Sequence, residues 1–281
     1  MIADTHIHVW DFKKAYYLWL DGNNTILNRN YNISEIETER KALNIASGVL
    51  IQAANNFEDT DMILEIANET EWIKAVVGWL PLADATATQK ALEEKYLSNN
   101  YFKGVRHLIH DEADPKWLLQ PQVTESLRQL AANNISYNVV GILPEHIKTA
   151  LKIAEVIPEL KMVLDHVCYP RSGGKAAFNE WQALMKIASG HKNFYPKISG
   201  LTLGVGKGHE WQNDDLKPAI MFTLESFGTD RCFCGGDWPV TLRAGSYTKT
   251  WNAYKQVISE QLTKEESDKI FYLNAQNFYK L

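Results

Sequence analysis

Two histidines separated by one residue, His6 and His8, end the first apolar segment of the chain. If this segment is a β-strand, side chains at positions i and i+2 project from the same face, so both imidazoles point the same way, about 6.5–7 Å apart. Neutral imidazoles in this arrangement can bind a divalent metal of the zinc class. An ordinary strand with two polar residues near its end would show the same pattern, and the neighbouring Asp4 and Thr5 are compatible with either interpretation.

Two later segments supply another histidine and a carboxylate. His166 follows one apolar segment, and Asp237 follows another after Gly235-Gly236, where glycines allow the backbone to turn sharply. Taken alone, His166 is equally typical of a hydrogen-bonded core histidine, and Asp237 of a turn. Together with the first histidine pair they would supply three nitrogens and one oxygen, a donor set that suits an open catalytic metal site.

The elements that must position these residues are short apolar or β-branched segments, which alternate with amphipathic helical segments. The candidate strands are Ile2–His8, Gly48–Gln52, Ile73–Trp79, Phe102–His107, Ser136–Val140, Lys161–Asp165, Phe194–Ile198 and Arg231–Cys234. About eight strand–helix units in 281 residues predict an α/β fold, a single-domain (β/α)8 TIM barrel over residues 1–281. A doubly wound sheet competes, but no G-x-G-x-x-G motif follows the first strand. In a closed barrel the first and eighth strands are neighbours, so His6, His8 and Asp237 would converge.

Three predicted strand-to-helix connections are long, whereas the helix-to-strand connections are short. The long ones are Val9–Ile33, Leu108–Gln120 and Ser199–Gln212. Long loops in compact domains are usually functional, and in barrels of this kind the strand-to-helix loops build the active site. The sequence therefore predicts one functional face, at the C-terminal ends of the strands.

Composition narrows the class of partner. The chain has 29 basic and 34 acidic residues and no prominent basic block, which argues against nucleic acid or an anionic membrane as a partner. No apolar run approaches the roughly 18 residues of a membrane helix, and no signal-peptide pattern is present. The 3 cysteines cannot all pair within the chain. We expect a cytoplasmic protein that acts on or binds a small molecule, and a homo-oligomer is left open.

The segments that carry these residues resemble the amidohydrolase superfamily, in order and over nearly the whole chain. The matching segments are Asp4–Asp11, Val49–Ala54, Gly104–His107, Asp111–Leu119, Val163–His166, Lys197–Leu201, Phe227–Arg231, Gly236–Val240 and Asn274–Tyr279. The resemblance is to the amidohydrolase-2 branch of metal-dependent TIM-barrel hydrolases. Within that branch it is to the sugar lactonases, the L-fuconolactonase and L-rhamnonolactonase-like proteins.

The resemblance implies metal-binding and catalytic roles. The implied metal ligands are His6, His8, His166 and Asp237. Asp237 would also accept the proton of the attacking water, with His166 and Arg106 as the other catalytic residues. Asn138 stands where binuclear relatives carry a histidine for a second metal, so we expect one divalent metal, with zinc the first candidate. Because some members of the branch work without a metal, a metal-free reaction is the alternative.

Other residues are expected to face the substrate. They are Gln52, Arg106, His107, Trp117 and Trp238. The guanidinium of Arg106 offers a planar fork of donors suited to a lactone carbonyl, a carboxylate or vicinal hydroxyls, although a salt-bridged residue at the barrel rim is the alternative. Tryptophan faces pack well against the C–H faces of sugar rings, and ordinary core packing explains any single tryptophan equally well.

Two departures from the relatives lie beside this set of residues. Val167-Cys168-Tyr169-Pro170 replaces a common Leu-Gly-Lys-Pro, and Gly235-Gly236 replaces a common Gly-Ser. The resemblance therefore does not identify the sugar. Cys168 and Cys234 are expected to be small buried thiols, because neither belongs to a CxxC pair.

The expected function is that of a hydrolase of carbohydrate metabolism. It would open the ring of a sugar-acid (aldono-) lactone, a carboxylic ester, by metal-activated or acid/base-activated water. One alternative is a metal-dependent decarboxylase of an unsaturated acid, which would release carbon dioxide. The other is a degenerate barrel that only binds a sugar acid, which should lack an ordered cluster at the strand ends.

Overall fold

The structure, a computed structural model, describes residues 1–22, 25–170 and 174–281. Its strands are β1 (Ile2–Ile7), β2 (Ile45–Ile51), β3 (Ile73–Gly78), β4 (Phe102–Arg106), β5 (Ser136–Val139), β6 (Met162–Leu164), β7 (Phe194–Ile198) and β8 (Phe233–Cys234). They form one parallel sheet in sequential order. The sheet closes where the segment after β8 runs beside β1, because the amide of Asp237 donates to the carbonyl of His6 at 2.8 Å.

The predicted (β/α)8 barrel is confirmed, and each of the eight candidate strands is found. The ends differ most at β2, which begins at Ile45 rather than at Gly48. Asn44, in the left-handed region with φ 59°, turns the chain there, and Ile45 pairs directly with Ile2 of β1. β8 is shorter than expected, since only Phe233 and Cys234 pair with β7.

The helices cover the outside of the barrel. They are α1 (Glu37–Ala42), α2 (Phe57–Glu69), α3 (Ala85–Ala91), α4 (Pro121–Ala132), α5 (Pro144–Val156), α6 (Lys175–Ser189), α7 (Leu201–Gly204), α8 (Asn213–Phe227), α9 (Tyr247–Ser259), α10 (Lys264–Asp268) and α11 (Asn274–Tyr279). In α4, Val123, Leu127 and Leu130 are buried at spacings of three and four residues, which places them on one face against the strands. No helix within the described ranges is long and apolar enough to cross a membrane.

A separate apolar cluster fills one end of the barrel. It joins small and branched strand residues, among them Ala3, Val49 and Ala75, to Ala275 and Tyr279 of the C-terminal helix α11. Helix α11 contacts β1, so this end is occupied by protein. The opposite end, where the strands finish, is therefore the end available to a ligand.

The three long loops are themselves folded. In the first, Trp10 and Tyr31 exchange backbone hydrogen bonds of 3.2 and 3.0 Å, which closes the loop on itself. The second contains the short helical turns Ile109–Asp111 and Trp117–Leu119, and the third contains α7. These loops wall the barrel at the C-terminal ends of the strands.

Candidate active site

A cavity of about 600 Å³ opens at the C-terminal ends of the strands, within the ~300–1,000 Å³ range of small-molecule sites. Its wall includes four residues predicted from the sequence: His8, Arg106, His166 and Asp237. The remainder mixes apolar and aromatic side chains with a second arginine, Arg243. The predicted functional face is therefore the one that carries the cavity.

Three side chains form a centre at the base of this cavity. The Nε2 atoms of His6 and His8 lie 3.0 Å apart, and Oδ1 of Asp237 lies 3.7 Å from each. One ligand atom from each residue falls within 4.8 Å of the other two. The period of two in β1 puts both imidazoles on one face, and the pairing of Asp237 with the His6 backbone brings the carboxylate to them.

Hydrogen bonds and burial prepare the two imidazoles as ligands. Nδ1 of His8 lies 2.9 Å from the carbonyl oxygen of Ile51, so Nδ1 carries the proton and Nε2 presents its lone pair to the centre. Burial lowers the pKa of His6 well below its usual value, against the effect of Asp165, and burial likewise lowers the pKa of His8. Both rings are therefore neutral at pH 7, the form that binds metals.

The carboxylate of Asp237 is incompletely satisfied. Its Oδ2 is buried and has no hydrogen-bond partner among the described residues. Burial raises the pKa of Asp237 well above its usual value. A divalent cation held by the two imidazoles and Oδ1 of Asp237 would separate the two histidine nitrogens, and two imidazoles with one carboxylate are a donor set that zinc accepts. The residues present therefore fit a metal site.

His166 lies beside this centre, outside the group of three. Its ring centroid is 4.5 Å from that of His6, and its Nδ1 is 2.9 Å from Oγ of Ser199, which leaves Nε2 as the nitrogen available to a ligand. Burial lowers the pKa of His166 to about 3. A Cβ on Gly200 would lie 2.5 Å from His166 Nδ1 and 3.1 Å from Asp237 Oδ2, so only glycine allows both side chains to meet here.

The backbone that presents His166 is in an unusual conformation. Residues 166–169 all have left-handed φ values, between 44° and 56°, including the β-branched Val167. Such runs of non-glycine residues are costly and are found where surrounding structure enforces them. The indole of Trp181 donates to the carbonyl of Val167 at 2.8 Å, and Tyr169 packs on the His166 ring. The segment expected to differ from the relatives thus shapes the cavity wall.

A buried ion pair supports the centre from below. Nζ of Lys197 lies 2.8 Å from Oδ1 of Asp165 and 3.5 Å from Nδ1 of His6. Both charged side chains are fully buried. Burial alone would raise the pKa of Asp165, but Lys197, His6 and Arg106 hold it well below its usual value. Neither residue was singled out from the sequence, although a charged residue in a buried strand was a signal that could have identified both.

Arg106 is held in place and still has one donor to offer. Its Nη1 lies 3.4 Å from Nε2 of His6 and 3.5 Å from Oδ2 of Asp165, and its Nη2 donates to the backbone carbonyl of Gln52. The buried Nε has no partner in the part of the chain that the structure describes. Gln52 donates in turn to the carbonyl of Arg106 at 3.0 Å and is not among the cavity wall residues, and its substrate-binding role stays a prediction.

The cavity wall does not include His107, Trp117 or Trp238. Nδ1 of His107 accepts a hydrogen bond of 3.0 Å from Trp79, its Nε2 lies 2.6 Å from Glu112, and Trp117 stacks on its ring at 4.1 Å. Trp238 is buried. The substrate-binding roles of these residues stay predictions.

Other wall residues were missed in the sequence. They are Trp19, His110, Tyr169 and Arg243. Trp19 is half-buried and its indole donates to the carbonyl of Ala53 at 2.7 Å, which holds an aromatic surface at the cavity. It belongs to the first long loop, so its location in a loop already predicted to be functional was the available signal.

The glycines before Asp237 have a steric role that differs from the expected one. Neither Gly235 nor Gly236 has a left-handed φ, whereas Asp237 itself does, at 55°. A Cβ on Gly235 would lie 2.4 Å from Cβ of His6. Oδ1 of Asp4 accepts the amide of Gly236 at 2.9 Å, which ties this segment to β1. Glycine is needed because the two backbones approach so closely.

Gly236→Ala is expected to lower the free energy of unfolding by about 1–3 kcal/mol or more, the cost of overpacking a core. The added Cβ would lie 2.3 Å from Tyr247, 2.6 Å from Trp251 and 2.7 Å from Asp4. Denaturant unfolding measures the change. Gly204→Ala is the control, because its nearest neighbour would be 3.6 Å away. Equal stability of both variants would show that the segment can shift.

This geometry defines a class of protein. This (β/α)8 barrel gathers His6 at the end of the first strand, His8 directly after it and an aspartate after the eighth strand at one rim, in a group that could hold a metal ion. Residues 3–281 match the family described as Amidohydrolase. The chain belongs to this family and is a hydrolase.

Individual relatives agree with this assignment. The L-fucono-1,5-lactonase of Burkholderia ambifaria is 27% identical over 99% of this chain and 95% of that protein. The L-fucono-1,5-lactonase of Burkholderia multivorans is 25% identical over the same shares. The crystal structure of an amidohydrolase from Burkholderia multivorans with bound zinc superposes with a TM-score of 0.91 at 24% identity, over 100% of this chain and 99% of that one.

Proposed function

We propose that this hydrolase opens the ring of a sugar-acid lactone, with one divalent metal, zinc, held by His6, His8 and Asp237 and approached by His166. The observation that carries the proposal is a pair of buried atoms without a partner among the described residues, Oδ2 of Asp237 and Nε of Arg106, in two residues that line one cavity beside the paired imidazoles. One is an acceptor and the other a donor, as ester hydrolysis requires. The names of the two lactonase relatives support the same reaction.

The metal and the protein would contribute different parts of the chemistry. A bound divalent ion polarises a carbonyl and makes a water molecule more acidic. Arg106 would donate from Nε to the carbonyl oxygen as negative charge develops there. Its other nitrogens are engaged with His6, Asp165 and Gln52, so this donor is oriented before substrate arrives.

The proton transfers can be assigned to groups on this chain. Water adds its oxygen to the lactone carbonyl carbon and loses a proton to Oδ2 of Asp237, whose lone pairs are uncommitted. The bond between that carbon and the ring oxygen then breaks. The ring oxygen takes the proton from Asp237, which returns the carboxylate to its starting form and gives a hydroxy acid. One water is consumed and no other reactant is needed.

The cavity wall favours a sugar over an apolar lactone. Arg106, Tyr169 and Arg243 offer donors for hydroxyl groups, and Trp19 offers a flat surface for a ring.

A cytoplasmic location is in keeping with the cysteines, since Cys168, Cys232 and Cys234 are all free thiols.

Five- and six-membered aldonolactones are expected to be hydrolysed at least ~10²-fold faster, in kcat/KM, than alkyl lactones of the same ring size. Sites that hydrogen-bond substrate hydroxyls reject analogues without them, because their buried polar groups lose their partners. A pH-indicator assay over a panel that includes L-fucono-1,5-lactone measures acid release. Equal rates on both kinds of lactone would refute the sugar specificity. Release of carbon dioxide from an unsaturated acid would identify a decarboxylase instead.

A further inference from the structure

Arg243 differs from every other arginine that the structure describes. Five have internal partners: Arg29 and Arg40 pair with glutamates, Arg106 with Asp165, and Arg128 and Arg231 donate to backbone carbonyls. The side chain of Arg243 makes no hydrogen bond or ion pair with any described residue, yet Arg243 lines the cavity of the proposed active site. A guanidinium with five donors and no partner is available to a ligand.

The backbone that carries Arg243 is firmly anchored. It ends a short helical turn, Val240–Arg243, in which the amide of Thr241 donates to the carbonyl of Asp237 at 2.8 Å. The hydroxyl of Thr241 lies 2.8 Å from that of Thr250 in the core. The indole of Trp211 donates to the carbonyl of Ala244 at 2.6 Å. The arginine is thus attached to the same rigid segment that places Asp237.

The charges around the cavity leave Arg243 uncompensated. Asp165 lies beneath the cavity wall and is already shared between Arg106 and Lys197. Among the residues that the structure describes, Asp237 is the one carboxylate on the wall, and it belongs to the histidine centre. A ligand that covers Arg243 removes water from it, so that ligand must supply acceptor oxygens to avoid the cost of an unpaired charge.

We propose that Arg243 is a specificity-determining residue that binds two neighbouring oxygens at the end of the sugar acid remote from the scissile carbonyl. The proposal rests on the lactonase function proposed above. The planar fork of a guanidinium matches a pair of oxygens about as far apart as those of a carboxylate or a vicinal diol. In a neutral aldonolactone the two oxygens that Arg243 binds belong to a vicinal diol. In the monolactone of an aldaric acid they belong to the second carboxylate.

Arg243→Met is expected to raise KM by about 10–100-fold and to leave kcat within about threefold, since a charged hydrogen bond contributes about 1.5–3 kcal/mol to binding. Stability should not change, because Arg243 has no internal partner. Arg243→Lys, which keeps the charge and loses the fork, should recover only part of the binding. Arg128→Met is the matched control, since that arginine donates to the backbone carbonyl of Val156 and does not line the cavity.

Two lactones distinguish a diol from a second carboxylate as the group that Arg243 binds. They are glucono-1,4-lactone and glucaro-1,4-lactone, which differ at the terminal carbon, and their open acids gluconate and glucarate serve for calorimetric titration without turnover. A larger loss of affinity for glucarate than for gluconate in Arg243→Met supports the carboxylate, and equal losses support the diol.

Three outcomes would overturn the proposal. Affinities and KM within twofold of wild type in Arg243→Met would make this a solvated surface arginine, with the lactonase function intact. A fall in kcat alone would mean that the residue acts on the reaction and not on binding. Failure of wild type to bind either acid would also reject the site. If no lactone is hydrolysed, the proposed function fails, and the titrations still decide the role of Arg243 independently.

Discussion

Asp237→Asn is expected to lower kcat for lactone hydrolysis by about 10²–10⁴-fold, the usual cost of losing a general base. Asparagine keeps the shape and one oxygen, but the amide nitrogen replaces the atom with uncommitted lone pairs. KM should change far less, because Arg106 and the cavity wall remain. The fold should survive, since the backbone bonds of Asp237 to His6 and Thr241 do not involve its side chain.

Steady-state kinetics and metal content must be measured on the same sample of Asp237→Asn, because the carboxylate is also a proposed ligand. Asp230→Asn is the control, an aspartate whose side chain is 78% exposed. If the variant is folded and keeps activity within tenfold of wild type, Asp237 is structural. The proton must then pass to another group, and His166 is the next residue to replace.

The part of the site that the sequence predicted is the part fixed by barrel topology. His6 and His8 share a strand face because the side-chain period is two, and Asp237 reaches them because the eighth strand of a closed barrel lies beside the first. Neither inference needs a side-chain contact. The first follows from the side-chain period of a strand, and the second from the number of strands in the barrel.

The same period explains why only one of two neighbouring predicted residues lines the cavity. Arg106 and His107 are consecutive at the end of β4, so their side chains leave the strand in opposite directions. Arg106 points to the centre, and His107 points away to Trp79 and Trp117. The sequence predicted that both residues face the substrate. Because side chains alternate along a strand, only one of the two can point to the inner face of the barrel, and choosing it requires knowing which face of β4 is the inner one.

Contacts between loops and strands could not be predicted by pattern. Trp19 reaches the cavity from the first long loop, and Tyr169 reaches it through a left-handed turn that no propensity of Val167 or Cys168 favours. By contrast, the ion pair of Asp165 and Lys197 could have been predicted from the sequence. Asp165 directly follows β6 and Lys197 lies within β7, and these two strands pair with Leu164 opposite Pro196. A buried charge on each of two paired strands predicts an ion pair.

His6→Ala is expected to reduce bound metal from about one divalent ion per chain to a small fraction of one. Apparent binding energies of four-ligand zinc sites are about 10–16 kcal/mol, so the loss of one ligand weakens affinity by about 10²–10³-fold. Elemental analysis after purification gives the metal content. His209→Ala, at an exposed histidine in the third long loop, is the control.

The His6 substitution also separates the two forms of the hydrolytic reaction. Alanine keeps the Cβ that packs against Gly235, but it removes an imidazole that contacts Asp165 and Lys197. His8→Ala is therefore made in parallel, because His8 contacts neither member of that ion pair. If metal and activity fall together in both variants and added zinc restores both, the metal takes part in hydrolysis. If purified wild type holds no metal and remains fully active, the centre works by acid–base chemistry of its histidines and Asp237 alone. In that case the unpaired oxygen of Asp237 serves only as a proton acceptor, and the zinc proposal is rejected.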